Sequence, residues 1–111
     1  MTGRTEEPFT LTCGSRVDGG WNWSYPFAKL VATRERIQVT APFFEVALPR
    51  ESIASIRPHK ELFSKGIFID SFVVGPGLII WTQSPAEALE ALMRLGYPVS
   101  KLPSQPKPWR G

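Results

Sequence analysis

The sequence is short of the residues that most catalytic and metal sites use. Its 111 residues contain one cysteine, Cys13, and one histidine, His59. One cysteine excludes an intramolecular disulfide, and one cysteine with one histidine cannot form a zinc site of the usual composition. The sequence therefore predicts no metal site and no cofactor, and its cysteine content is typical of a reducing compartment.

Long hydrophobic runs are also missing. The longest apolar stretch, Leu78 to Trp81, is far shorter than the roughly 20 residues that span a bilayer. The N-terminus carries Glu6, Glu7 and Pro8, where a signal peptide would have a basic start and an apolar run. We therefore expect a cytoplasmic protein for which a membrane could only be a surface partner.

The net charge of +3 comes from one end of the chain. Lys101, Lys107 and Arg110 lie in the last eleven residues, which contain no acid, and the remaining Lys and Arg residues balance the ten acids. Dedicated nucleic-acid binders gain most of their affinity from clustered cations that neutralise phosphates. A body without net charge therefore argues against a nucleic-acid partner.

Length and apolar content predict one domain with one core. A chain of this length has no room for a second core, and 42% apolar residues are enough to build one without metal or disulfide. Short segments with period-2 alternation, separated by turn residues, predict an antiparallel meander. The predicted strands are residues 9–13, ending at Gly14-Ser15, then 27–32, 37–41, 44–48, 53–56, 66–72 and 78–82.

Two connections in this meander are predicted specifically. Residues 59–66 are polar and typical of a loop, in which Leu62 and Phe63 would have to pack against something. The Gly75-Pro76-Gly77 sequence predicts a turn before the last strand.

One helix follows the strands. Ser84 and Glu87 form a capping-box pattern, with Pro85 at the first helical position, and Gly96 is placed to end the helix. The predicted apolar face consists of Ala88, Leu89, Leu92 and Met93.

Three segments resemble the bacterial pleckstrin-homology-like (PH-like) domains. They are residues 28–39 (AKLVATRERIQV), residues 48–56 (LPRESIASI), and residues 78–82 (LIIWT) leading into 84–92 (SPAEALEAL). The resemblance covers about residues 20–99 and includes no catalytic motif. The helix lacks the tryptophan of eukaryotic members, which favours the bacterial branch or a different small barrel.

The expected fold class is α+β: a small antiparallel β-barrel, or two-sheet PH-like meander, capped by one C-terminal amphipathic helix. We divide the chain into an N-terminal segment, residues 1–19, with one possible strand, a PH-like domain, residues 20–99, and a Pro-rich basic tail, residues 100–111.

The resemblance also implies a ligand site. Phosphoinositide-binding members of the superfold place a Lys, a basic residue and an Arg around the first hairpin, and Lys29, Arg34 and Arg36 match that order. Such cations converge on phosphate groups. The alternative is a solvated hairpin rim, because the turn is tight and Glu35 separates the arginines.

Aromatic residues supply the candidate partner-binding positions. Trp21 and Trp23 lie on one face of an extended segment, where they stack a ligand or seal the barrel. Trp109, in the basic tail, belongs to a partner-docking peptide or a flexible end. Phe72 lies in a segment, residues 67–74, that is apolar on both faces, so either the loop before it or a second copy of the chain covers that segment.

These observations predict a non-catalytic binding or assembly module, acting through a protein partner or self-association, with no small-molecule substrate. The alternative is a peripheral membrane adaptor that binds anionic headgroups through Lys29, Arg34 and Arg36. An enzyme built on His59 and Cys13 is disfavoured, because no catalytic signature surrounds either residue.

Overall fold

In the computed structural model, which describes residues 7–17 and 22–100, one antiparallel sheet of seven strands curls into a half-barrel. A helix follows the last strand, as expected for an α+β fold. The elements are β1 (Phe9–Val17), β2 (Asn22–Ala32), β3 (Arg36–Ala41), β4 (Phe44–Pro49), a 3-10 turn (Arg50–Ser52), β5 (Ile53–Lys60), β6 (Lys65–Ser71), β7 (Val74–Trp81) and α1 (Pro85–Arg94). The strand order is β4-β3-β2-β1-β7-β6-β5.

The β2–β3 hairpin follows the predicted alternation. Leu30 pairs with Val39 and Ala32 with Ile37, and all four side chains are buried. Because alternate residues of a strand face opposite sides of the sheet, this register turns one apolar row of each strand towards the core. Leu48 continues the row into β4, opposite Ile37.

Strand β1 is the central strand of the sheet, hydrogen-bonded to β2 on one side and β7 on the other. The segment that we set apart as residues 1–19 therefore contributes the middle of the fold. The predicted end of this strand at Gly14-Ser15 is wrong, because the strand continues to Val17, with β2 bulging opposite Gly14. A Cβ at Gly14 would lie 2.7 Å from the Trp23 carbonyl oxygen, so glycine allows the close approach of β2.

Strand β5 is longer than predicted. It runs through Pro58 to Lys60, and the loop shrinks to residues 61–64. Pro58 is tolerated because β5 lies at the sheet edge. On the side of β5 away from β6, the Ile56 amide donates to the Pro98 carbonyl and the Ile56 carbonyl accepts from the Ser100 amide. Pro58 is two positions further along the strand, so its nitrogen points to the same side and no hydrogen bond to β6 is lost.

Two further expectations in this half of the sheet are wrong. Leu62 and Phe63 are exposed instead of packed. Gly75-Pro76-Gly77 lies within β7, and the turn is made by Phe72 and Val73.

The core fills the concave side of the half-barrel. Helix α1 contacts β5, β6 and β1, and its buried residues are Ala88, Leu89, Ala91 and Leu92. Met93, which we placed on the apolar face, is exposed; Ala91 takes its place because the buried stripe is centred on Ala88 and Leu92, one turn apart.

The helix begins and ends at the predicted residues, with one difference in mechanism. Ser84 is the N-cap, but its side chain makes no capping hydrogen bond; its amide instead donates to the Thr82 hydroxyl at 3.1 Å. Gly96, with φ +93°, ends the helix. The amides of Gly96 and Tyr97 donate to the carbonyls of Met93 and Leu92, which is a Schellman motif.

Candidate functional site

The convex side of the β1–β7–β6–β5 half carries an unusual set of side chains. The register aligns Arg57, Phe68, Ile79 and Arg16 in one row across the four strands, and His59, Gly66 and Trp81 in the next. Both rows face away from the core, whose residues in these strands are Cys13, Ile53, Ile56, Ile67, Ile69, Leu78 and Ile80. We call this side the outer face.

A charged network lies on the outer face. Arg16 Nη2 donates to Glu61 Oε2 at 2.6 Å, and His59 Nε2 lies 3.0 Å from the same carboxylate. The hydrogen bonds from His59 and Arg16 lower the pKa of Glu61 below its ordinary value of 4.5. The carboxylate is therefore ionised at neutral pH and engaged by both partners.

Aromatic contacts surround this network. The Arg16 guanidinium lies 5.3 Å from the Trp81 ring centroid, within cation–π range. The His59 ring centroid lies 5.9 Å from that of Trp81 and 6.2 Å from that of Phe68. Residue 66, between His59 and Trp81 across the strands, is glycine, so no side chain separates the two rings.

A groove opens beside these residues, between β2 and the β5–β6 loop, residues 61–64. Its volume is about 730 Å³, within the range of ligand pockets. We call it the outer groove. It is lined by Arg16, Asn22, Ser24, Tyr25, Lys60, Glu61, Leu62, Phe63, Ser64, Lys65, Trp81, Thr82 and Gln83.

One wall of the outer groove comes from an irregularity in β2. Cys13 pairs with Ala28 and Ser15 with Trp23, so β2 residues 24–27 lie opposite Gly14 alone. This bulge brings Tyr25 to the groove with 55% of its surface exposed. The opposite wall is the β5–β6 loop, where Leu62 is 85% and Phe63 91% exposed.

The three predicted ligand residues do not converge. Lys29 pairs with Thr40 at the end of the β2–β3 ladder farthest from the turn, whereas Arg36 begins β3 and Arg34 lies in the turn. Arg36 and Thr40 are four positions apart along β3, or about 13 Å at the usual rise. All three side chains are exposed, but they form no common pocket in the described part of the chain.

The β2–β3 turn is instead fastened to the rest of the fold. Arg50 Nη1 donates to the Arg34 carbonyl at 3.0 Å, and its Nη2 donates to the Gly96 carbonyl at 2.8 Å. The Arg50 amide donates to the Glu35 carbonyl at 2.8 Å, and the Tyr97 hydroxyl donates to the Thr33 carbonyl. The turn therefore joins the start of the 3-10 segment to the end of α1.

The predicted partner-binding residues lie in different places. Trp23 is half-buried against the core, with its ring centroid 4.6 Å from that of Phe44. Phe72 lies in the β6–β7 turn and is exposed. Trp21 and Trp109 lie outside the described residues.

The two rare reactive side chains lie on opposite faces of the sheet. Cys13 is fully buried in the core, and burial raises the pKa of its thiol to about 12. His59 lies on the outer face beside Glu61. Among residues 7–17 and 22–100 there is no group of three or more His, Cys, Asp or Glu side chains that could hold a metal ion, and no helix long and apolar enough to cross a bilayer.

Reasoning from the sequence missed the outer groove. Arg16 and Glu61 are 45 positions apart, and their contact depends on strands β1 and β5 lying in one sheet. The local signal was the segment 60–65, in which two lysines enclose an exposed Leu-Phe pair. Comparison with protein-family models, curated proteins and solved structures finds no match to this chain.

Proposed function

We propose that the protein is a non-catalytic binding or assembly module of the PH-like type, which engages a protein partner or a second copy of itself. An antiparallel half-barrel followed by one C-terminal helix is the arrangement that the resemblance to bacterial PH-like domains implies. The separation of Cys13 from His59 supports a role without nucleophilic catalysis, because a dyad needs the two groups within hydrogen-bond reach.

The observation that carries the proposal is the apolar surface of the outer groove. Leu62, Phe63 and Tyr25 are large, largely exposed and line the same groove. Single exposed apolar residues are normal, whereas contiguous ones mark interaction sites. Covering these three side chains would remove apolar area from water, which is the main favourable term in association.

Self-association remains one form of this function. Phe72, in the β6–β7 turn, is 76% exposed, and a second copy could cover it. Light scattering should separate the two possible interfaces: a multimer that Phe72→Glu dissociates uses this turn, and one that Phe63→Glu dissociates uses the outer groove. Monomeric wild-type protein would remove self-association and leave a separate partner.

Photo-crosslinking in the producing cell tests the proposal as a whole. A photoreactive amino acid replaces Phe63 in the full chain, and a matched variant carries it at Glu51, an exposed position of the 3-10 turn. We expect a discrete adduct from position 63 only. An adduct of twice the chain mass indicates self-association, and any other discrete mass indicates a protein partner. No adduct, or equal adducts from both positions, contradicts the proposal.

A further inference from the structure

We propose that the outer groove binds an acidic peptide segment of a protein partner, with carboxylates beside Lys60 and Lys65 and an apolar side chain against the β5–β6 loop. This inference rests on the proposed function and specifies the chemistry of the partner. It follows from the charge of the groove, the position of its apolar residues and the charge of the chain as a whole.

The lysines at the base of the β5–β6 loop face each other. Lys60 and Lys65 are directly paired in the β5–β6 ladder, and both are exposed. Like charges directly opposite each other destabilise a strand pair. Neither ammonium group has an ion-pair partner within the part of the chain that the structure describes, so an anion placed between them would relieve their repulsion.

Among the described residues, Glu61 is the only one that lines the groove with a carboxylate, and this carboxylate is already engaged. Glu61 accepts from Arg16 at 2.6 Å and lies 3.0 Å from His59 Nε2, so it offsets the Arg16 charge. Lys60 and Lys65 also line the groove, and neither has a carboxylate partner among the described residues. Carboxylates of a ligand would therefore make charge-assisted hydrogen bonds there.

The apolar component of the groove is adjacent to these lysines in the sequence. Leu62 and Phe63 lie between them, and Tyr25 forms the facing wall. Purely electrostatic binding of a small anion would leave these side chains exposed. A peptide that carries both acidic and apolar residues would cover the apolar walls and pair with the lysines.

The overall charge of the chain favours a peptide over a membrane. Anionic membranes attract clusters of basic residues through a field that extends about a Debye length, whereas residues 1–100 carry equal numbers of basic and acidic residues. The chain's own C-terminal segment is also a poor ligand by charge. Residues 101–111 contain three cations and no acid, so the lysine pair would repel them.

The direct test is fluorescence anisotropy with two labelled peptides of opposite charge. The first probe is Glu-Glu-Phe-Glu-Glu and the second is Lys-Lys-Phe-Lys-Lys, each capped at both ends. We expect saturable binding of the acidic peptide to the full chain, weakened at high salt, and no saturation with the basic peptide. Equal binding of the two peptides, or saturation by neither, overturns the inference.

Charge reversal assigns the binding to the two lysines. The Lys60→Glu/Lys65→Glu variant should bind the acidic peptide about tenfold more weakly or worse and gain affinity for the basic peptide. Lys29→Glu, which makes the same kind of change on an exposed part of β2, should leave both affinities unchanged. An equal loss in the Lys29→Glu variant overturns the assignment.

Vesicles provide the competing outcome. Flotation with vesicles of about 30% phosphatidylserine at physiological salt should give little binding. If flotation is strong and requires Lys60 and Lys65, and the anisotropy experiment shows no preference between the two peptides, the ligand of the groove is a membrane surface instead of an acidic peptide. If photo-crosslinking gives an adduct from position 63 but the protein does not prefer the acidic peptide, only the peptide inference is refuted. If photo-crosslinking gives no specific adduct either, the proposed function is refuted as well.

Discussion

The β2–β3 turn and the β5–β6 loop both connect neighbouring strands of one sheet, but they differ in what holds them. The carbonyls of Thr33, Arg34 and Glu35 accept hydrogen bonds from Tyr97 and Arg50. The β5–β6 loop is held at Glu61, whose amide donates to the Ser64 carbonyl and whose carboxylate accepts from Arg16, but its Leu62 and Phe63 are exposed. The cation-rich turn is thus a structural joint, and the apolar loop is the surface available for binding.

Cations around a hairpin therefore do not define a ligand site by themselves. The arginine that matters most at the β2–β3 turn is Arg50, which comes from the 3-10 segment and uses its donors on backbone carbonyls. A guanidinium that donates to backbone carbonyls in this way stabilises the fold. At Lys60 and Lys65, by contrast, the ammonium groups have no ion-pair partner among residues 7–17 and 22–100, and they lie beside an exposed apolar pair that a partner could cover.

Removal of the Arg50 guanidinium should have the largest effect on stability. Arg50→Ala leaves the carbonyls of Arg34, Leu95 and Gly96 without this donor, and hydrogen bonds to charged groups contribute roughly 1.5–3 kcal/mol each without being additive. We expect a loss of about 2 kcal/mol in the free energy of unfolding, measured by urea denaturation. The control, Arg36→Ala, should change the free energy of unfolding by no more than about 0.5 kcal/mol. Equal losses from the two variants would mean that the turn is stabilised by positive charge and not by the Arg50 hydrogen bonds.

The second bond of the joint should have a smaller and pH-dependent effect. Tyr97→Phe removes the donor to the Thr33 carbonyl and should cost about 1 kcal/mol at pH 7. Burial raises the pKa of Tyr97 from 10.0 to about 12, so the unfolded chain loses this proton first and stability should fall as pH rises from 10.0 towards 12.

Thermal unfolding across that pH window checks the prediction. Tyr97→Phe should show a weaker decline than the wild type, because it lacks the titrating hydroxyl. Tyr25→Phe, which changes an exposed tyrosine, should decline like the wild type. Identical curves for the wild type and Tyr97→Phe would contradict the structural role of the hydroxyl.

Substitution in the β5–β6 loop should have the smallest effect on folding. Phe63 is largely exposed, so Phe63→Glu loses little buried area and should change the free energy of unfolding by less than about 0.5 kcal/mol. Urea denaturation checks this value. A loss comparable to that of Arg50→Ala would mean that Phe63 packs in the fold and would remove it as a binding residue.

The sequence predicted the parts of this fold that depend on local pattern. Alternation identified the β2–β3 hairpin, and Pro85 with Gly96 identified both ends of α1. The predicted Ser84 capping bond was wrong: the Ser84 side chain makes no capping hydrogen bond, and the Ser84 amide donates to the Thr82 hydroxyl. Replacement of Ser84 by Ala should therefore cost less than the roughly 1 kcal/mol of a typical N-cap.

Long-range features could not be read from local pattern. Pro58 and Gly75-Pro76-Gly77 are typical of strand ends and turns, but an edge position and a bulge accommodate them within β5 and β7. The contact of Arg16 with Glu61, and the groove above it, depend on β1 lying in the middle of the sheet. That position follows from pairing between strands far apart in the chain.

Amide chemical shifts during titration with the acidic peptide compare the two regions in one measurement. We expect saturable shifts for residues 60–65 and for the indole of Trp81, which lines the same groove, and none for residues 33–36 of the fastened turn. Saturable shifts at residues 33–36 with none at 60–65 would contradict this expectation, because the binding surface would then be the hairpin that carries Arg34 and Arg36.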